Sequence, residues 1–297
     1  MILVTTPTGD IGTRVLKGLL EGGEPIRVVL RDPSNLDSDV RGQIDVVQGS
    51  HADATVIGPA LDGIDAVFWL PPGPPTAESS EAAYVDFSRA FRDALRTSSV
   101  SHVVGVSALG RGWGMPAGHA TASIAMDDMI GATGVAYRAL ACASLMDNVA
   151  RQAEPIREAG LFFQPSPGHL KLPHVAKADV AARAVDLLRD RSWTGVEDVP
   201  LLGPEELTFD EMAAIVTDVV GREVRFREIA MADFADMMRG MGATEGMVKG
   251  YVEMLTAKNE GMDLAFVPPD RRDTPTTFRE WCHRELVAAL SGGDARS

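Results

Sequence analysis

Cysteine is almost missing: among 297 residues there are two, Cys142 and Cys282. Thiols this far apart form no C-x-x-C pair and have no metal-ligand spacing. Neither a disulfide framework nor a cysteine-held metal is expected, and each thiol reads as a small hydrophobe in a reduced, cytoplasmic protein. Long apolar runs are missing too. None approaches the roughly 18 residues of a membrane span. The N-terminus enters a strand-like segment with no charged leader, so neither a signal peptide nor a membrane partner is expected. Positive charge is scarce, with 28 Lys and Arg against 42 Asp and Glu and a net charge of −14. Phosphate backbones and anionic lipid repel such a chain on average, which argues against nucleic acid while leaving room for a local pocket for one small phosphate. Arginine far outnumbers lysine, as in a GC-rich bacterial genome.

What remains is ordinary globular material, 45% hydrophobic and 24% charged. A chain of this length buries about 75% of its unfolded surface without a staple. Apolar strands alternate with helical segments five times in the first third: "ILVTT", "IRVVLRD", "IDVVQGS", "IDAVFWLPP" and "HVVGVSALG". The strands are solidly apolar rather than alternating, as expected when both sheet faces are covered. The pattern predicts an α/β fold: a Rossmann-type, doubly wound parallel sheet with a smaller, mostly helical C-terminal substrate lobe. The division expected is 1–150 for the nucleotide-binding domain, with 176–192 returning to it. Residues 151–175 and 193–290 would form the smaller lobe, and 291–297 a disordered tail.

The stretch "TTPTGDIG" follows the first strand, where open parallel sheets hold ligands at a helix N-terminus. The dinucleotide fingerprint G-x-x-G-x-x-G falls on Thr6, Gly9 and Gly12. The second glycine lets a phosphate approach the backbone, and the third lets the helix pack against the sheet. Only the first is replaced, by Thr6. Pro7 removes one N–H. The donors left are the backbone amides from Thr8 onward, including Ile11, and the Thr8 hydroxyl. Asp10 is the awkward member, a carboxylate beside a pyrophosphate; the expectation is that it caps the helix with its side chain in solvent.

The ordered set "TTPTGDIG", "VVLRDPSNL", "LDGIDAVFWLPP", "VVGVSALG", "SLMDN", "KADVA" and "LLGPEELTFDEMA" resembles the NmrA-like family of atypical short-chain dehydrogenase/reductases, over about residues 2–285. That resemblance implies NAD(P) binding. It also implies either a quinone or other small-molecule reductase or a cofactor-sensing regulator without turnover. Arg31 ends the second strand, where a basic residue accepts a ribose 2′-phosphate, so NADP(H) is favoured over NAD(H). A solvated surface arginine beside a turn Asp32 is the competing reading. The resemblance further implies that Ser50 would lie near the adenine and that Leu70, Pro71 and Pro72 would line the middle of the cofactor as an apolar wall.

The superfamily's usual acid–base pair, Y-x-x-x-K, is absent: Tyr84, Tyr137 and Tyr251 are followed four residues on by Ser88, Ala141 and Leu255. Ser107 sits where the superfamily places its serine, as a ligand contact or a satisfied turn residue. His119, in the mobile-looking "GRGWGMPAGHATAS", and His174, before a helix facing the cleft, are the candidate proton donors. No metal site is expected. The function expected is NADPH-dependent hydride transfer to a small apolar carbonyl, quinone or conjugated acceptor, by a monomer or homodimer. The alternative is a non-catalytic NAD(P)-sensing module that binds another protein.

Overall fold

The computed structural model describes residues 1–265 and 274–292. Residues 293–297, most of the tail expected to be disordered, lie outside the described residues. Strands β1 (Ile2–Thr5), β2 (Ile26–Leu30), β3 (Asp45–Gln48), β4 (Ala66–Trp69), β5 (His102–Ala108) and β6 (Ala136–Cys142) alternate with helices. Short β7 (Ser144–Leu145), β8 (Leu161–Gln164) and β9 (Leu172–Val175) follow, then β10 (Val196–Leu201), β11 (Glu206–Leu207) and β12 (Arg225–Glu228). The longer helices include α1 (Asp10–Glu21), α2 (Phe87–Leu95), α3 (His119–Gly131), α4 (Lys177–Arg189), α5 (Phe209–Val220) and α6 (Glu245–Asn259).

The main sheet has seven strands in the order β10-β6-β5-β4-β1-β2-β3. Every pairing in it is parallel, from Ile2↔Ile26 through Val199↔Leu140. Alternate strand residues feed two cores. Ile2, Val4 and Val28 pack under α1 and α4 with Val15, Leu19, Val180 and Leu188. Leu3, Val29 and Val67 pack on the other face under α2 and α3 with Phe91, Met126 and Ile130. Both faces are buried, which is why the strands read as unbroken apolar runs. The strand order reverses between β1 and β4, and the crevice at that switch point is where such sheets bind ligands.

The division of the chain differs from expectation at two places. Residues 144–150, assigned to the nucleotide-binding domain, supply β7 to the small sheet β11-β9-β7 and Met146 and Val149 to the core it packs on. Residues 196–201, assigned to the smaller lobe, are the seventh strand of the main sheet. Val196 is 53% exposed at that edge. An apolar strand signature shows that a segment pairs, not which sheet it joins. The remaining lobe has its own core of Ile156, Phe162, Phe209, Met212, Trp281 and Cys282. It carries two small sheets, β11-β9-β7 and β12-β8, besides its helices. Cys142 and Cys282 are both free and buried, and burial pushes each thiol up to about 12.

Candidate functional site

The hydroxyls of Thr5 and Thr6 stitch the switch point. Thr5 Oγ1 donates to the Phe68 carbonyl (3.0 Å) and accepts from the Leu70 amide (2.9 Å). Thr6 Oγ1 donates to the Leu70 carbonyl at 2.6 Å. Thr6 has φ +52°, the left-handed region that a first glycine of the fingerprint would occupy freely. A β-branched residue there is strained, and its bond to Leu70 holds the turn in place. The two glycines kept do different work. A β-carbon at Gly12 would lie 2.0 Å from the Thr6 carbonyl oxygen, so α1 can reach the sheet only without one. Gly9 has an ordinary extended backbone (φ −81°, ψ 160°), and a β-carbon there would meet the Thr6 methyl at 3.2 Å and the Thr6 carbonyl oxygen at an ordinary 3.5 Å. Gly9 is the residue before the helix and supplies no side-chain cap. The first-turn amides of α1 are therefore left for an outside acceptor. These residues fit a dinucleotide pyrophosphate.

Asp10 does not cap the helix. It is the first helical residue, and its carboxylate is paired with the ammonium of Lys177 at the start of α4. Lys177 is 6% exposed and also lies 3.3 Å from Asp147. The Lys177 hydrogen bond holds the Asp10 carboxyl below its ordinary range. The charge that would oppose a phosphate is thus compensated by a cation from 167 residues away. Asp32 is occupied as well: it accepts from the Ser34 amide (2.9 Å) and hydroxyl (2.7 Å). Arg31 is exposed, and its guanidinium makes no hydrogen bond or ion pair among the described residues. A groove of about 860 Å³ runs from Pro7 and Thr8 to Ser34 and Leu36. Ser50 is half-buried, its hydroxyl accepting from the Ala52 amide at 3.3 Å. Leu70 is half-buried, Pro71 buried and Pro72 exposed, along the wall after β4.

The candidate acid–base residues are not gathered in one cluster. Ser107 turns inward: its hydroxyl donates to Asp127 and lies 3.1 Å from the Ser123 hydroxyl. Tyr137, fully buried, donates to the other Asp127 oxygen at 2.6 Å. Burial pushes the Asp127 carboxyl up to about 7, although both hydrogen bonds pull it down. His119 is not a loop residue. Gly118, with φ +48°, turns the chain so that α3 begins at His119, whose side chain is 5% exposed. Burial lowers its imidazole to about 4 against the opposing Met247 carbonyl. Neither ring nitrogen has a hydrogen bond of normal geometry among the described residues.

His174 is also held near 4 by burial, and its Nδ1–H donates to the Leu172 carbonyl at 3.1 Å. It lines a small cavity of about 60 Å³ with Asn148, Met254 and Lys258. Lys258 is spent on Asp263, at 2.8 and 2.6 Å. Both histidines are therefore neutral at pH 7, and neither offers an imidazolium proton.

Tyr84 and Tyr251, which matter to the sequence only as tyrosines without a lysine, flank the His119 ring. The ring centroids lie 5.9 and 4.1 Å away, at interplanar angles of 70° and 63°. Tyr84 belongs to a π-helical turn, Ala82–Asp86, an irregularity common at functional sites. No sequence pattern links these three positions. Among the described residues no three His, Cys, Asp or Glu are grouped to hold a metal, and no helix is long and apolar enough to cross a membrane.

The chain is 28% identical over 271 residues to the NAD(P)H azoreductase of Xenophilus azovorans, covering 91% of this chain and 88% of that protein. It is 28% identical over 295 residues to the (4-alkanoyl-5-oxo-2,5-dihydrofuran-3-yl)methyl phosphate reductase of Streptomyces griseus, covering 97% and 99%. The NADPH-dependent quinone oxidoreductase of Escherichia coli, solved with NADPH, superposes with a TM-score of 0.77 at 23% identity, covering 94% and 98%. The sequence profile for NAD(P)H binding matches residues 7–191, from the turn after β1 to the end of the α4 region, and the chain belongs to this NAD(P)H-binding family.

Proposed function

We propose that the protein is an NADPH-dependent reductase of quinone-like or conjugated carbonyl acceptors. The observation that carries this reading is the uncapped first turn of α1 behind Gly9, with a groove running from Pro7 and Thr8 to Ser34 and Leu36 in the loop that follows Arg31. Two relatives that share nearly the whole chain are named as reductases, an NAD(P)H azoreductase and a (4-alkanoyl-5-oxo-2,5-dihydrofuran-3-yl)methyl phosphate reductase. The first-turn amides and the Thr8 hydroxyl would hold the pyrophosphate. Arg31 would take the 2′-phosphate, Ser50 would lie at the adenosine, and Leu70–Pro72 would wall the middle of the cofactor. Lys177 keeps Asp10 from opposing the phosphate charge. When bound, the nicotinamide supplies a hydride.

The candidate histidines carry no imidazolium proton at pH 7, since burial holds His119 and His174 near 4, and Tyr84 is pushed up to about 12 by burial. The Ser107 hydroxyl donates its hydrogen bond to Asp127, which also accepts from Tyr137. This suits acceptors whose reduced form is a stabilised anion, which solvent then protonates. The absent Tyr–Lys pair is also what a cofactor sensor would show. Oxidation of NADPH at 340 nm with a panel of quinones, enones and azo dyes separates the two. Turnover with a quinone is expected. Cofactor binding by calorimetry with no oxidation across the panel would favour the sensor.

A further inference from the structure

His174 is expected from the sequence to give a proton, but the structure makes it an acceptor. Only an Nδ1–H can donate to the Leu172 carbonyl, 3.1 Å away. That bond fixes the tautomer and leaves a lone pair on Nε2. Nε2 has no hydrogen-bond partner among the described residues. The ring is 5% exposed and lines the cavity of about 60 Å³. Ser166 lines the same cavity; it is 2% exposed, and its hydroxyl has no partner among the described residues. Lys258, also in the wall, gives two ammonium protons to Asp263, which neutralises its charge. The rest of the wall is mostly apolar, with Phe162, Leu172, Phe209 and Met254.

The cavity lies on the ligand side of the main sheet. Ser144 and Leu145, in its wall, follow directly on β6. Met254 packs with Ala108, the last residue of β5. Asn148 follows Asp147, which meets Lys177 beside the first turn of α1. Open parallel sheets present ligands at the carboxyl ends of their strands, so the cavity flanks the crevice of the proposed cofactor. At about 15 Å³ for each water, it has room for about four waters or one short substituent.

Resting on the reductase reading, we propose that this cavity is a subsite for a short hydroxyalkyl side chain of the acceptor, whose hydroxyl donates to His174 Nε2 and accepts from Ser166. A lone pair and a hydroxyl in one small chamber ask for a group that both gives and takes a hydrogen bond. A carbonyl, an ether or a carboxylate has no proton for Nε2. An ammonium would be placed beside that of Lys258. An alkyl chain fits the apolar wall but displaces water and leaves both polar groups unpaired, at a cost of about 1–3 kcal/mol each. His174 thus sets specificity and moves no proton.

The test is equilibrium binding to the NADP⁺ complex, read by tryptophan fluorescence, of 2-(2-hydroxyethyl)-1,4-naphthoquinone and 2-propyl-1,4-naphthoquinone. The two differ by a hydroxyl in place of a methyl. The hydroxyethyl compound should bind the unmutated protein about tenfold more tightly. His174→Leu should abolish that preference, His174→Gln, which keeps an acceptor, should restore part of it, and Ser166→Ala should reduce it about threefold. In steady state the preference should appear in KM more than in kcat. Equal affinity of the unmutated protein for the two quinones would overturn the subsite and leave a chamber for water alone. A preference that survives both His174→Leu and Ser166→Ala would overturn it too, as would an unmutated complex that binds neither quinone. A preference that the variants remove, without NADPH oxidation, would keep the subsite and reject the reductase reading. Oxidation of NADPH by both quinones with equal KM would keep the reductase and reject the subsite.

Discussion

Gly9→Ala and Gly12→Ala should separate a phosphate cradle from a plain strand–helix turn. At Gly12 the new methyl would sit 2.0 Å from the Thr6 carbonyl oxygen. Carbon and oxygen do not pack closer than about 3 Å, so α1 must retreat by about 1 Å from a turn pinned at Leu70. Overpacking of this kind costs about 3 kcal/mol, and the melting point should fall by about 6–12 °C. At Gly9 the backbone suits any residue, and the methyl is tight against one side-chain carbon, at 3.2 Å, with the Thr6 carbonyl oxygen at an ordinary 3.5 Å. Folding stability should then stay within about 1 kcal/mol, since alanine also narrows the unfolded ensemble. A methyl on the face of the open first-turn amides instead keeps the pyrophosphate away. Losing one charge-assisted hydrogen bond, about 1.5–3 kcal/mol, raises the Kd for NADPH about 10- to 100-fold. Thermal melting and calorimetric titration of both variants decide the matter. A Gly9→Ala protein that binds NADPH with unchanged Kd would refute the cradle. Equal losses of stability in the two variants would refute the division of labour between the glycines.

Arg31→Ala should remove a preference for NADPH over NADH of about 10- to 100-fold while leaving the melting point unchanged. Equal affinity of the unmutated protein for the two cofactors, by calorimetry, would reject that role. Stability should also depend on pH. His51, His119 and His174 are all held near 4 by burial, so the unfolded chain gains protons below about 6.5 that the folded chain refuses. Stability is lost as pH falls from about 6.5 towards 4. Asp127, raised to about 7, acts in the opposite sense over the same window. Three imidazoles outweigh one carboxyl, so denaturant midpoints should drop between pH 7 and 5, and a rise would contradict the burial of these rings.

The sheet was legible because its signal is local. Apolar runs of four to seven residues at β1, β2, β4, β5 and β6, separated by amphipathic helices, need nothing distant to be read. The glycine turn was legible for the same reason, since Gly9 and Gly12 act within eight residues of β1. Edge strand β10 was legible as a strand but not as part of this sheet, because a strand's pattern does not encode its neighbour. The rest of the site depends on distance across the fold. "KADVA" and "SLMDN" are visible in the sequence as ordered fragments, yet only folding brings Lys177 between Asp10 and Asp147. His119 looks like a loop histidine until Gly118 starts a helix there and α6 closes over it. Tyr84 and Tyr251 come from opposite ends of the chain and meet at one imidazole, a juxtaposition that no spacing rule contains. Propensity and periodicity are properties of neighbouring residues and determined the architecture. Burial, charge pairing and the neutral state of the histidines arise from what packs against each group, and these the tertiary structure alone decided.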